Sequence, residues 1–115
     1  HELLYIAKKQ ASLLADLSYH PPQAPMIPVF GMDQIATIKM LLVNMRDGGF
    51  ISKHDDLIAT KIASVMCGGD LNAGTLVDSD WFLRLERKAF MELILTQESQ
   101  DRVQYMLEKG KPLRN

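Results

Sequence analysis

Apolar residues recur along the chain at helical spacing, and strict apolar/polar alternation is nearly absent. A first segment, about Glu2 to Leu17, sets Leu3, Ala7, Ala11 and Leu14 on one stripe, widened by Leu4, Leu13 and Leu17. It stops at Ser18-Tyr19-His20-Pro21-Pro22, where paired prolines remove backbone donors and disfavour helix in the residue before them. Prolines at 21, 22, 25 and 28 predict an extended connector over 19–31, neither helix nor sheet-centre strand. A second helix follows from Met32 or Asp33 to Arg46. Only Thr37, Lys39 and Asn44 are polar between Ile35 and Met45, so this helix is expected to be the central, most buried element. Asp47-Gly48-Gly49 ends it, with glycine supplying a left-handed C-terminal conformation.

The strongest start signal is Ser52-Lys53-His54-Asp55, a capping-box spacing that opens a third helix. Its predicted stripe is Ile58, Ile62, Val65 and Met66, and Cys67-Gly68-Gly69-Asp70 stops it. Residues 70–77 read as a loop. A fourth helix starts at Asp78 and carries Trp81, Phe82, Leu85, Ala89, Phe90 and Leu93, with Arg84, Glu86, Arg87, Lys88 and Glu92 on its solvated side. A fifth runs from Thr96 or Ser99 to about Lys109, with Val103, Met106 and Leu107 inward, and closes at Gly110 before Pro112. The pattern predicts an all-α fold of about five helices in a compact orthogonal or bundle-like array.

At 115 residues the chain suits one helical domain, 1–115, large enough to bury roughly two thirds of its unfolded surface. Thirteen Lys+Arg against 14 Asp+Glu leave a net charge of −1, which gives no basic footprint for nucleic acid or an anionic membrane. The apolar runs are too short to span a bilayer, and no signal-peptide pattern is present. A single cysteine, Cys67, rules out an internal disulfide framework and suits a reducing, cytoplasmic setting. The opening His1-Glu2-Leu3-Leu4 already lies inside a helical pattern and lacks an initiator Met, so a piece of a longer polypeptide is expected.

Candidate chemistry is sparse. His1, His20, His54 and Cys67 lack the short repeated spacings of a zinc site, so no bound metal is expected. The set His20, His54-Asp55 and Asp70 or Asp78 resembles the metal-dependent phosphohydrolases named for the His-Asp dipeptide, but Asp55 already has a sufficient role as a helix cap. Ser52 and His54 lack a nucleophile-elbow context, and Gly48-Gly49 and Gly68-Gly69 read as helix stops, not phosphate loops. Glu86, Glu92 and Asp101 read as members of solvated faces with local ion pairs. The tail from Lys109 to Asn115 carries three basic side chains and no acidic one, stiffened by Pro112. It reads either as a solvated end or as an anion contact.

Several phrases in order carry a resemblance. They are Gly48-Gly49-Phe50-Ile51-Ser52 with His54-Asp55, Cys67-Gly68-Gly69-Asp70 with Gly74-Thr75, Leu85-Glu86-Arg87-Lys88-Ala89-Phe90, and the ending from Met106 through Lys111-Pro112-Leu113-Arg114-Asn115. From Tyr19 to the last residue the chain resembles the C-terminal region of bacterial fatty-acid β-oxidation proteins that join a 3-hydroxyacyl-CoA dehydrogenase to a crotonase-type enoyl-CoA hydratase. The resemblance implies a parent enzyme that uses NAD and acyl-CoA, with this chain as a non-catalytic helical tail that caps the acyl-CoA site and supports assembly. It implies CoA-phosphate contacts at Lys111 and Arg114, acyl-site lining by Phe82 and Phe90, and no catalytic or metal-binding residue or cofactor of its own in this segment. The implied partners are the rest of the parent chain, acyl-CoA through it, and a further subunit in a homo-oligomer. The Met32–Thr75 region stands as an added helical pair relative to simpler crotonases. The alternative, from a different class, is a free-standing helical protein-interaction module.

Overall fold

Local chemistry sets the helix ends. The computed structural model describes residues 1–115 and contains α1 (Glu2–Asp16), β1 (Ile27–Pro28), α2 (Gly31–Asp47), α3 (Lys53–Met66), β2 (Leu76–Val77), α4 (Ser79–Ile94) and α5 (Gln97–Lys109). The capping box forms as the spacing predicts: Ser52 Oγ accepts from the Asp55 N–H, and the Asp55 carboxylate accepts from the Ser52 N–H. Asp78 caps α4 through the Trp81 N–H, Thr96 caps α5 through the Ser99 N–H, and Gly110 ends α5 in the left-handed region. The all-α reading holds, with one addition. Ile27–Pro28 pairs antiparallel with Leu76–Val77, so the proline connector and the 70–77 loop meet as a two-stranded seam.

The core gathers at that seam. Only ten residues are buried, and seven of them (Val29, Gly31, Ala63, Cys67, Gly68, Gly69 and Val77) surround the meeting of β1, β2, the α2 start and the α3 end. The Gly31 N–H donates to the Cys67 carbonyl at 2.8 Å, Met32 N–H to Leu71 at 2.9 Å, and Val29 N–H to Thr75 at 3.0 Å. Cys67 packs there as a small, buried apolar residue at the end of α3. Gly68 has φ +88°, and a Cβ there would lie 2.2 Å from Val29 Cγ1. Gly68 therefore does more than end α3: it lets the connector approach, while Gly69 lies against Leu85 of α4.

Several packing expectations are corrected. The array is extended, not compact: its radius of gyration is 21.0 Å, against about 13 Å for a compact domain of this length. The reason is α1, none of whose residues is buried; the connector carries it away from the body, and its apolar stripe stays uncovered. Nor is α2 the central element. It buries only Gly31, Ile35 and Leu42, while Met32, Met40, Leu41, Val43 and Met45 face solvent, because α3 covers one side and nothing covers the other. The central helix is α3, which packs against both α2 and α4, and α5 packs on α4. On α3 the buried positions are His54 and Ala63; Ile62 and Met66 point outward. On α5, Val103, Met106 and Leu107 are exposed, and the half-buried side chains are Ser99, Asp101, Arg102 and Tyr105. No helix is long and apolar enough to cross a membrane.

Candidate functional site

Two places combine shape with chemistry. The first is a polar knot where the start of α3 meets α5 and the chain's last residues. His54, buried at the first turn of α3, shares a 3.0 Å hydrogen bond between its Nε2 and Ser99 Oγ, which lies 2.9 Å from Thr96 Oγ1. Beside it, Arg102 pairs with Asp55 at 2.8 Å. Its Nε donates to Asn115 Oδ1 at 2.7 Å, and its Nη2 donates to the Asn115 carbonyl at 3.1 Å. Asn115 Nδ2 donates in turn to the Glu98 carbonyl at 3.1 Å.

These bonds account for His54 and Asp55 without a metal. His54 is held by Ser99, Asp55 is divided between its cap and Arg102, and no cluster of three His, Cys, Asp or Glu side chains could hold an ion. The Ser52 backbone N–H, followed by the Arg102 guanidinium, holds the Asp55 carboxyl below its usual range, against an opposing desolvation effect. A carboxylate with a depressed folded pKa contributes stability above its unfolded pKa and loses it as pH falls through the folded one. Acid titration is therefore expected to destabilise the chain progressively below about pH 4. In Asp55→Asn that component of the acid sensitivity disappears. Urea melts at pH 7 and pH 3 check this, and equal pH dependence in both proteins would contradict it.

The knot also fixes the tail. Gly110 turns the chain out of α5 and Asn115 returns it to Arg102, so Lys111 and Arg114 are solvent-exposed on a strap anchored at both ends. Sequence reasoning missed Ser99, Arg102 and Asn115. The spacing of Thr96 and Ser99 is a local capping signal, but Asp55 and Arg102 are joined only by the tertiary fold.

The second place is an apolar trough of about 620 Å³ between α3 and α4. Ile62, Val65, Met66, Leu83, Ala89, Phe90 and Leu93 form its walls, and Lys61, Glu86 and Arg87 its rim. The Lys61 ammonium is bonded to the Glu92 carboxylate across the two helices, so this pair is interhelical where the sequence suggested local pairing. Glu86 and Arg87 have no ion-pair partner in the chain. Phe90 belongs to the trough; Phe82, half-buried, does not, and neither Lys111 nor Arg114 lines it. The four residues suggested by resemblance therefore do not converge on one pocket in this chain.

No protein-family model matches the chain, and no solved structure matches it. Among characterised sequences it matches a probable 3-hydroxyacyl-CoA dehydrogenase of Bacillus subtilis (strain 168), with 43% identity over 113 residues. Over 98% of its own length, then, the chain is similar to a segment that makes up 14% of that dehydrogenase.

Proposed function

We propose that the chain is a non-catalytic helical region, C-terminal in its parent, of a fatty-acid β-oxidation enzyme with 3-hydroxyacyl-CoA dehydrogenase and crotonase-type hydratase halves. The identity to a short segment of a probable dehydrogenase carries the dehydrogenase part of this reading, and the hydratase half rests on the resemblance of the ordered sequence phrases. The outward apolar face of α2 supports it, since a surface of that composition is built to be covered. In the parent the helices cap the acyl-CoA site, and NAD and the reacting carbons are handled by other parts of the polypeptide. The anchored strap presents Lys111 and Arg114 to the CoA phosphates. Their charges bind and orient the anionic end of the substrate without taking part in bond making. Phe82 and Phe90 line the acyl path in the same reading.

The test is the parent enzyme carrying Lys111→Ala and Arg114→Ala together. The Michaelis constant for acyl-CoA is expected to rise roughly tenfold with turnover unchanged, as suits the loss of two exposed charge-assisted contacts. An unchanged constant removes the phosphate contacts. Hydratase or dehydrogenase activity in the 115-residue chain alone would overturn the non-catalytic reading.

A further inference from the structure

The strap that carries Lys111 and Arg114 is short for the distance it covers. From Gly110 to Asn115 a fully extended chain reaches about 16 Å. Along α5 the rise from Arg102 to Gly110 is about 12 Å, and from Glu98 to Gly110 about 18 Å. Asn115 bonds at both places: its Oδ1 accepts from the Arg102 guanidinium, and its Nδ2 donates to the Glu98 carbonyl. The strap therefore runs back along α5 with little slack. Its side chains divide accordingly, with Leu113 and Asn115 half-buried and Lys111, Pro112 and Arg114 exposed.

One side chain closes this loop. Arg102 Nε donates to Asn115 Oδ1 at 2.7 Å and its Nη2 to the Asn115 carbonyl at 3.1 Å, so the guanidinium grips side chain and backbone of one residue together. The same Nη2 lies 2.8 Å from Asp55 Oδ1, while the other Asp55 oxygen accepts from the Ser52 N–H. Arg102 is thereby oriented from α3, whose first turn also holds α5 one turn earlier through His54 and Ser99. The Arg102 side chain is only 23% exposed, so little water competes for its donors. A guanidinium presents those donors in a fixed planar fork. An ammonium on a flexible stem reaches one of these acceptors without fixing the rest.

A tail rooted in glycine and left unanchored samples many conformations, and a ligand that binds it loses affinity in ordering each residue. Holding the tail beforehand removes that loss. We infer that Arg102 is a positioning residue: locked against Asp55, its guanidinium holds Asn115 and keeps Lys111 and Arg114 preorganised for the phosphates of acyl-CoA. The inference rests on the phosphate-contact reading of Lys111 and Arg114. It adds that the affinity of this pair is set by a group that does not itself touch the substrate.

Asn115→Ala and Arg102→Lys test it beside the Lys111→Ala/Arg114→Ala protein. In the 115-residue chain, the backbone amides of Lys111, Leu113 and Arg114 are expected to have order parameters near about 0.85, falling below about 0.6 in both single variants. In the parent enzyme each single variant is expected to raise the Michaelis constant for acyl-CoA about fivefold with turnover unchanged, less than loss of the two charges themselves. A strap that stays ordered in both variants overturns the inference. So does a Michaelis constant that stays put in Asn115→Ala while Lys111→Ala/Arg114→Ala raises it, a result that leaves the phosphate contacts standing. An Arg102→Lys enzyme with the wild-type constant overturns it as well, because the fork is then not what holds Asn115. A fall in turnover alone marks a merely structural role and has the same effect. If Lys111→Ala/Arg114→Ala changes nothing, the phosphate-contact reading falls and the inference falls with it.

Discussion

Replacing Gly31 with alanine is expected to cost about 3–4 kcal/mol and leave the seam largely open. Gly31 has φ +77°, a region in which an L side chain pays about 1–2 kcal/mol. Its added Cβ would lie 2.5 Å from the Ala73 nitrogen and 2.6 Å from the Leu71 oxygen. Both are backbone atoms, so no rotamer change relieves the clash, and overpacking adds about 1–3 kcal/mol. Movement of Leu71 would also stretch its bond from the Met32 N–H. Gly74→Ala is the control: its φ is +81° but nothing lies within 4 Å of the added carbon, so only the same backbone penalty of about 1–2 kcal/mol applies. Urea denaturation of the pair separates the two contributions. Equal losses would mean that the close approach at Gly31 contributes nothing.

Trp81→Ala is the second large loss, about 2–3 kcal/mol. The indole Nε1–H donates to the Gly68 carbonyl at 2.9 Å, which ties the first turn of α4 to the glycine turn that ends α3. Arg84 lies 5.6 Å from the ring centroid and adds a small cation–π attraction at an exposed position. The hydrogen bond contributes about 1 kcal/mol and the half-buried ring about 1.5 kcal/mol. Trp81→Phe keeps most of the ring and is expected to lose only about 1 kcal/mol. Circular dichroism is the readout, since Trp81 is the only tryptophan. A Phe variant as unstable as the Ala variant would contradict this division.

What could be read from the residues follows the range of the forces involved. Ser52, Asp55, Asp78, Thr96 and Gly110 act within three or four positions of themselves, so the spacing alone located the helix ends. The inward faces were less legible. Periodicity says that Ile62, Met66 and Leu107 belong to apolar stripes, but not how far they are covered; here all three stay exposed, Ile62 and Met66 along the open trough between α3 and α4. The same holds for α2, whose apolar circumference suggested a buried centre and proved to be a covered side and a bare one. At the candidate site, the basic tail was visible as composition. Its anchoring was not, because Arg102 meets Asp55 and Asn115 only through the fold.

The seam between β1 and β2 also has a consequence for synthesis. Ile27 pairs with Val77 and Val29 accepts from Gly74, so the buried centre joins stretches nearly fifty residues apart. At about 5–20 residues per second, a ribosome needs roughly 2–10 s to deliver the second half of that contact after the first. During that interval α2 and α3 emerge behind α1, all three with their leucines and methionines bare. The growing chain is therefore most vulnerable to capture by a chaperone, or by its neighbours on the same message, before Val77 clears the exit tunnel.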